Sequence, residues 1–115
     1  MAIRRPIIRH KSQVEAVPCP CGHSTRIFTQ KDDTQVGLHV TDLGGAQKHK
    51  HTYITEVYYI TAGQGQMELD DTIVDVSAGH AIYIPAGIAH RAIGEFQAVI
   101  ITIPPFDPAD EHLCD

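Results

Sequence analysis

The fold and the function of this chain are both indicated by one stretch, Gly45-Ala46-Gln47-Lys48-His49-Lys50-His51-Thr52-Tyr53-Ile54-Thr55-Glu56. Side chains alternate between the two faces of a β-strand, so His49 and His51 point to one face. Glu56 lies five residues after His51 and needs a bend over residues 52–54 to return its carboxylate. A second stretch, Pro85-Ala86-Gly87-Ile88-Ala89-His90, supplies a third imidazole from a separate strand. The spacing predicts one metal site formed by His49, His51, Glu56 and His90.

Composition describes an ordinary globular protein. The chain has 115 residues, of which 43% are hydrophobic and 20% charged, which is enough for one domain and one core. No apolar run approaches the length of a membrane span, and the basic start lacks the apolar core of a secretory signal. The net charge is −5, with no cluster of Lys or Arg beyond the first eleven residues. We therefore expect a cytoplasmic protein that has neither nucleic acid nor a membrane as its partner.

Short strand patterns separated by turn residues run along the chain, and no segment has the periodicity of a helix. Each candidate strand is rich in β-branched or aromatic residues or alternates in polarity. They are 26–29, 36–42, 47–51, 56–61, 65–69, 73–76, 81–84, 89–93 and 97–103. Without a helix long enough for a parallel crossover, the strands must pair antiparallel. The sequence predicts an all-β antiparallel barrel or sandwich.

Two segments, residues 57–60 and 98–101, are apolar on both faces of the predicted strand. A strand half exposed to water should alternate, so these strands should be covered on both sides. In so small a chain the second cover is most easily another subunit, through sheet packing or an exchanged N-terminal strand. We expect a homodimer; the alternative is that loops of the same chain cover the outer face.

The three cysteines do not form the pattern of a disulfide framework. Cys19 and Cys21 are separated by one residue and Cys114 is next to last. Two thiolates followed by His23 could bind zinc, but structural zinc knuckles use a longer spacing and a fourth ligand. We expect a turn rich in Pro and Gly that carries two thiols, with a redox role as the alternative.

The two motifs resemble those of the cupins, a family of small β-barrels. The first cupin motif is Gly-x5-His-x-His-x3 or x4-Glu-x6-Gly, and the chain has His49-x-His51-x4-Glu56-x6-Gly63. The second is Gly-x5-Pro-x-Gly-x2-His-x3-Asn, and the chain has Gly79-x5-Pro85-x-Gly87-x2-His90. Gly44 lies one residue closer to the first histidine than the motif asks, and Gly94 replaces the asparagine. Neither position is a metal ligand in the family.

The resemblance implies an antiparallel double-stranded β-helix, also called a jelly-roll barrel, over residues 36–105. Residues 1–35 would form an N-terminal extension of strands and loops that could contribute to a dimer. Residues 106–115 would form a C-terminal tail. Fifteen residues separate the two motifs, as in compact single-domain cupins.

Three imidazoles and one carboxylate leave a divalent ion with a charge near +1 and, if it is six-coordinate, two open positions. Nitrogen-rich, sulfur-free ligands suit Fe, Mn, Ni, Cu, Co or Zn and disfavour Ca and Mg. Availability in cells favours Fe, Mn or Zn, and a recombinant preparation can carry Ni. The identity of the metal stays open. The expected function is a metal-dependent enzyme that acts on a small organic molecule, with a dioxygenase slightly favoured. The alternatives are an isomerase or lyase on the same scaffold and a non-catalytic protein that binds a sugar or organic acid.

Other residues are candidates for contact with the substrate. Tyr58 shares the face of Glu56, so it is a catalytic candidate as a proton or hydrogen-bond donor, although buried tyrosines more often serve packing. His39 could reach a substrate or face solvent. Arg26 and Arg91 could hold a carboxylate or phosphate, but Arg91 follows His90 and so points to the opposite face. We expect Tyr58, with Ile60, Ile82 and Ile84, to line an apolar cavity beside the metal.

Overall fold

The computed structural model describes residues 4–114, which form ten β-strands and three single-turn 3-10 helices at Lys11–Gln13, Gln30–Asp32 and Pro108–Asp110. The strands are β1 (Val17–Cys19), β2 (Gly22–Phe28), β3 (Gly37–Leu43), β4 (His49–His51), β5 (Thr55–Leu69), β6 (Thr72–Ser77), β7 (Ala81–Ile84), β8 (His90–Ile93), β9 (Phe96–Ile103) and β10 (Glu111–Leu113). Every pairing between them is antiparallel. The all-β prediction is confirmed.

The long strand β5 joins the two halves of the barrel. Its first part pairs with β7 and β9, in the half that continues through β3, β2 and β1. Its second part pairs with β6 and β8, in the half that continues through β4 and β10. The strand has 15 residues, and the two halves curl around the interior between them.

The sequence predicts two strands with a turn at residues 63–65, where the structure has this one strand. The pairing of β5 with β9 shifts register between Ile60 and Ala62, so the chain bends through a bulge instead of turning back. Gly63 follows the bulge with a φ of 85°, and a Cβ there would lie 2.9 Å from Cβ of Phe96. Both observations require glycine at this motif position.

Alternation along the strands separates the interior from the outer surface. In β3 the burial alternates strictly, with Gly37, His39, Thr41 and Leu43 facing inward. The apolar core occupies one part of this interior, and its buried members are Leu43, Tyr58, Ile60, Met67, Val76, Ile84, Ala92, Phe96, Ala98 and Ile100. The polar side chains described below occupy the remainder.

The two termini of the described chain extend the sheet at its edges. β1 and β2 pair with each other and continue the half that contains β3, and β10 pairs with β4. The sequence patterns did not identify β1 or β10, because each strand has three residues and is too short to show an alternating pattern. Among residues 4–114, no helix has the length and apolar character needed to cross a membrane.

The turn between β1 and β2 does not carry the two free thiols that we expected from the sequence. Cys19 and Cys21 form a disulfide, while Cys114 is unpaired. The hairpin register places Cys19 opposite Gly22, which brings the Cα atoms of the two cysteines to 5.2 Å. That separation lies within the range that a disulfide spans. The sequence analysis did not predict this disulfide, because it looked for the cysteine pattern of several disulfides and not for one disulfide within a single turn.

Candidate metal centre

His49, His51 and His90 come from two neighbouring strands. β4 has the burial pattern buried, exposed, buried, so both of its histidines face the interior and Lys50 faces solvent. His90 begins β8 and is directly opposite His49 in the ladder between the two strands. Residues opposite each other on antiparallel strands share a face, so His90 joins the pair.

Asp110 holds the bend that returns Glu56 to the histidines. The carboxylate of Asp110 accepts hydrogen bonds from the backbone N–H groups of Thr52, Tyr53 and Ile54 at 3.0, 3.1 and 3.2 Å, and from the Thr52 hydroxyl. The residue is only 3% exposed. Burial raises the pKa of Asp110, but these hydrogen bonds outweigh burial and lower the pKa to about 2. A buried carboxylate from the tail therefore fixes the bend that the sequence requires at residues 52–54.

The four predicted ligands converge in the interior. One nitrogen or oxygen atom from each of them lies within 4.8 Å of those of the other three. Oε1 of Glu56 is 3.2 Å from Nε2 of His51 and 3.0 Å from Nε2 of His90. All four residues are buried, with exposed fractions between 1% and 6%. The structure thus brings together the residues that the motifs select.

Backbone carbonyl groups fix the orientation of each imidazole. Nδ1 of His49 lies 2.9 Å from the carbonyl oxygen of Gln47. Nδ1 of His51 lies 3.1 Å from the carbonyl oxygen of Asp110, and Nδ1 of His90 lies 3.0 Å from that of Ile88. A carbonyl oxygen can only accept, so in each ring Nδ1 carries the proton and donates it. In a neutral ring Nε2 then has a free lone pair, and the Nε2 atoms of His51 and His90 lie beside Glu56.

The centre of the cluster contains polar atoms without partners. Oε1 of Glu56 and Nε2 of His90 are both buried, and neither makes a hydrogen bond of acceptable geometry despite their 3.0 Å separation. Two acceptors cannot satisfy each other, and leaving them unpaired in the interior is costly. A divalent cation would accept electron pairs from both atoms, so the donor set fits a metal ion.

Charge within the cluster shifts the titration of its members. Burial raises the pKa of Glu56, but the neighbouring imidazoles of His51 and His90 outweigh it and hold the carboxyl well below its usual pKa. Burial, with a smaller contribution from His90, lowers the pKa of His49 to about 4. Burial also lowers the pKa of His51, but the adjacent Glu56 carboxylate leaves it above the usual value. Glu56 is therefore ionised at neutral pH.

Tyr58 lies on the wall beside the cluster. Its side chain is 2% exposed, and its ring centroid is 6.0 Å from that of His90 in an edge-on arrangement. Burial, with a smaller contribution from Glu56, raises the pKa of Tyr58 well above 10. The phenol is therefore protonated at neutral pH and can donate a hydrogen bond.

The apolar residues expected to line a cavity pack tightly instead. Ile60 and Ile84 are buried in the core, with Ile82 packed against them. A cavity of about 310 Å³ lies elsewhere, and Arg26, His39 and Phe106 are among its lining residues. From the sequence, His39 could either contact a substrate or face solvent. It is buried, with its ring 5.8 Å from Phe106.

Glu111 and Phe106 face the site, and sequence reasoning selected neither. Glu111 is opposite His51 in the pairing of β10 with β4, which puts both side chains on one face. Burial raises the pKa of Glu111, and this effect exceeds the lowering by His51 and Arg26. The ring of Phe106 is 6.1 Å from that of His51. No motif marks these residues, because the tail that carries them packs on the site only in three dimensions.

The two arginines considered as anion ligands have different positions. Arg91 points outward and forms an ion pair with Glu68 at 2.8 Å. Arg26 faces His39 across the pairing of β2 with β3, and its guanidinium carbon is 4.7 Å from the centroid of Phe106. Both arginines are half-buried, but Arg26 lies on the inward face of its strand and Arg91 on the outward face.

A small antiparallel β-barrel with three histidines and one glutamate converging in its interior defines the class of this protein. The family model described as the cupin domain matches residues 39–104. The chain therefore belongs to the cupin family.

Two curated relatives have no described function. An uncharacterized protein of Streptomyces coelicolor is 29% identical over 80 residues, which cover 68% of this chain and 76% of the relative. An uncharacterized protein of Methanocaldococcus jannaschii is 35% identical over 71 residues, which cover 58% of this chain and 57% of the relative.

Solved structures share nearly the whole fold. A protein from Planctomyces limnophilus is 36% identical, with a TM-score of 0.88 over 94% of this chain and 96% of its own. Pac13, described as a unique nucleoside dehydratase, is 19% identical, with a TM-score of 0.85 over 96% and 92%. Three variants of Streptomyces PAC13 with uridine are each 18% identical, with a TM-score of 0.85. Ectoine synthase from P. lautus is 17% identical, with a TM-score of 0.77 over 96% and 91%. The last three show similarity of fold.

Proposed function

We propose that the chain is a metal-dependent enzyme that acts on a small organic molecule, with His49, His51, Glu56 and His90 as the metal ligands. The observation that carries the proposal is the orientation of the three imidazoles, each of which donates Nδ1–H to a backbone carbonyl. This arrangement leaves the Nε2 lone pair of each ring free to bind a metal ion. Packing alone would not require it, because apolar side chains would fill the same space.

The metal, when bound, supplies Lewis-acid or redox chemistry at its open coordination positions. The chain supplies the surroundings. The ionised carboxylate of Glu56 reduces the charge of the centre, and the carbonyls of Gln47, Ile88 and Asp110 hold the ligand rings in place. Tyr58 remains protonated beside His90, where it can donate a hydrogen bond to a bound molecule. The burial of all four ligands excludes bulk water from the centre.

The reaction class has two candidates. A dioxygenase with Fe is the first candidate, because imidazole and carboxylate ligands are compatible with Fe as well as with other divalent metals. An isomerase or lyase is supported by the similarity of fold to a nucleoside dehydratase and to ectoine synthase. Zn, Mn or Ni would suit the second class, and a non-catalytic ligand-binding protein would use the same site without turnover.

The test is anaerobic reconstitution with Fe(II), Mn(II), Zn(II) or Ni(II), followed by assays over a panel of small diols, thiols, phenols and hydroxy acids. Oxygen uptake with the Fe form supports the dioxygenase. Loss of water or rearrangement without oxygen uptake supports the lyase or isomerase. Ligand binding without turnover across the whole panel would refute the enzyme and leave the binding protein.

We also propose that the chain forms a homodimer through the outer face of the sheet around β5. Val57 is opposite both Ile101 and Tyr83 on this face, and the side chains of Tyr59 and Tyr83 are 50% and 67% exposed. Exposed aromatic and aliphatic groups on one sheet face are typical of subunit contacts. Light scattering at micromolar concentration should give twice the chain mass, and Tyr83→Glu should reduce it to one. A monomeric mass for the wild-type chain would refute the dimer.

A further inference from the structure

A second polar group, formed by Arg26 and His39, lies next to Phe106, whose ring also neighbours His51. Arg26, His39 and Phe106 line the cavity of about 310 Å³, and Phe106 is also a neighbour of the metal ligand His51. The cavity edge also carries Glu15 and Lys31, whose charges are opposite. Arg26 is half-buried, whereas Lys31 is exposed.

Both polar side chains contain nitrogen atoms without partners. Nε of Arg26 and Nε2 of His39 are enclosed in protein, and neither makes a hydrogen bond within the described residues. Burial lowers the pKa of Arg26, and the opposing effect of Glu111 is smaller. A buried Nε–H without an acceptor, next to a cavity and beside a second unpaired nitrogen, indicates a position for a bound anion.

The two centres are close enough for one small molecule to reach both. The guanidinium carbon of Arg26 is 4.7 Å from the centroid of Phe106, and that centroid is 6.1 Å from the ring of His51. Arg26 and His51 therefore lie within about 11 Å of each other. Because this sum is an upper limit, a small organic acid is long enough to pair with Arg26 at one end and to reach the metal ligands with the other.

We infer that Arg26, with His39 and Phe106, forms a carboxylate-binding subsite, so that the ligand of the proposed metal centre is a small organic acid. The Nε and Nη edge of arginine matches the two oxygens of a carboxylate. Arg26 is the one half-buried cation of the lining, since Lys31 is exposed, and with the nearby Glu111 carboxylate it favours a singly charged group over a phosphate dianion. His39 can complete the site as a hydrogen-bonding neighbour, and Phe106 limits the width of the ligand. This inference rests on the proposed function.

The test uses the full-length protein, metal-free and zinc-bound, with succinate as the probe. Its neutral analogue succinamide and inorganic phosphate are the comparison ligands. The Nε–H resonance of Arg26 is followed by nitrogen-edited NMR, and affinities are measured by calorimetry. Succinate should shift the Arg26 resonance, whereas succinamide should bind at least tenfold more weakly.

Variants separate the subsite from general charge. Arg26→Gln should weaken succinate binding tenfold or more, which is the effect of removing a charged hydrogen-bond partner. Arg26→Lys keeps the charge but loses the planar fork, so it should recover only part of the affinity. Arg91→Gln removes an arginine from the outer surface and should change the affinity less than twofold. Circular dichroism checks that each variant is folded.

Several results would overturn the inference. They are an Arg26 resonance that succinate does not move, equal binding of succinamide, tighter binding of phosphate at Arg26, and unchanged affinity in folded Arg26→Gln. Since the first readout uses the wild-type protein, it decides the question even if Arg26→Gln does not fold. Succinate binding that depends on Arg26 in a protein that binds no metal would support the subsite and refute the proposed function, so the two failures are distinguishable.

Discussion

Asp110 provides a quantitative test of how the tail supports the site. Its pKa is lowered from 3.8 to about 2 by the hydrogen bonds it accepts at the bend over residues 52–54. A difference of this size between the folded and unfolded states corresponds to about 2 kcal/mol of stability at neutral pH. Asp110→Asn removes the charge and one acceptor, so it should lower the free energy of unfolding by about 2–3 kcal/mol at pH 7.

The sign of the pH dependence follows from the lowered pKa. A carboxyl group with a depressed pKa in the folded state stabilises above its unfolded pKa, and this contribution is lost as pH falls through the folded pKa. The difference between wild type and Asp110→Asn should therefore be full at pH 7 and shrink between about pH 4 and pH 2. Urea denaturation followed by circular dichroism over this range measures it.

The same variant should weaken metal binding. The backbone carbonyl of Asp110 accepts the Nδ1–H of His51, and its side chain holds the bend that leads to Glu56. Loss of such supporting contacts typically costs 10- to 100-fold in metal affinity, roughly. Asp107→Asn is the matched control, because it removes a more exposed carboxylate from the same turn and should have a smaller effect on both quantities. Equal effects of the two variants would refute the role assigned to Asp110.

The remaining predictions concern ligands and core. Metal affinity should fall by about tenfold for each pH unit below the raised pKa of His51, beginning above 6.5. Competition with a chelator measures this, and a metal affinity that does not change between pH 8 and pH 5 would contradict it. Tyr58→Ala should cost about 3–5 kcal/mol of unfolding free energy, since the ring is buried in the core, whereas Tyr58→Phe should cost less than about 1 and retain the metal. Gly87 has a φ of 91°, and no atom lies within 4 Å of the position that a Cβ would occupy, so Gly87→Ala should cost about 1–2 kcal/mol through backbone strain alone; an unchanged urea midpoint would contradict it.

Local sequence patterns were sufficient to predict most of the barrel and the convergence of the four candidate ligands. Alternation places His49 and His51 on one face, and the fixed spacing of the motifs brings His90 to the same ladder. The first feature depends on neighbours in the chain, and the second on a motif with fixed spacing, and a sequence displays both directly.

The features that the sequence did not predict depend on long-range packing. Asp110 and Glu111 act on residues more than 50 positions earlier, and their segment has neither alternation nor a recognisable motif. The sequence predicted two strands in place of β5, because Gly63 and Gly65 are typical of a turn. In the structure both glycines lie inside one strand, where they accommodate a bulge and the ring of Phe96. The position of Arg26 beside Phe106 likewise becomes visible only when the tail is packed on the barrel.

Metal content tests the central claim most directly. The wild-type protein, His49→Ala and Lys50→Ala should be purified without a histidine tag, and their metals measured by mass spectrometry, with circular dichroism to verify folding. Wild type and Lys50→Ala should contain about one divalent transition-metal ion per chain, because Lys50 points to solvent from the same strand. Folded His49→Ala should contain little. If His49→Ala retains as much metal as the wild type, or the wild type neither contains nor takes up a metal, the proposed centre is wrong.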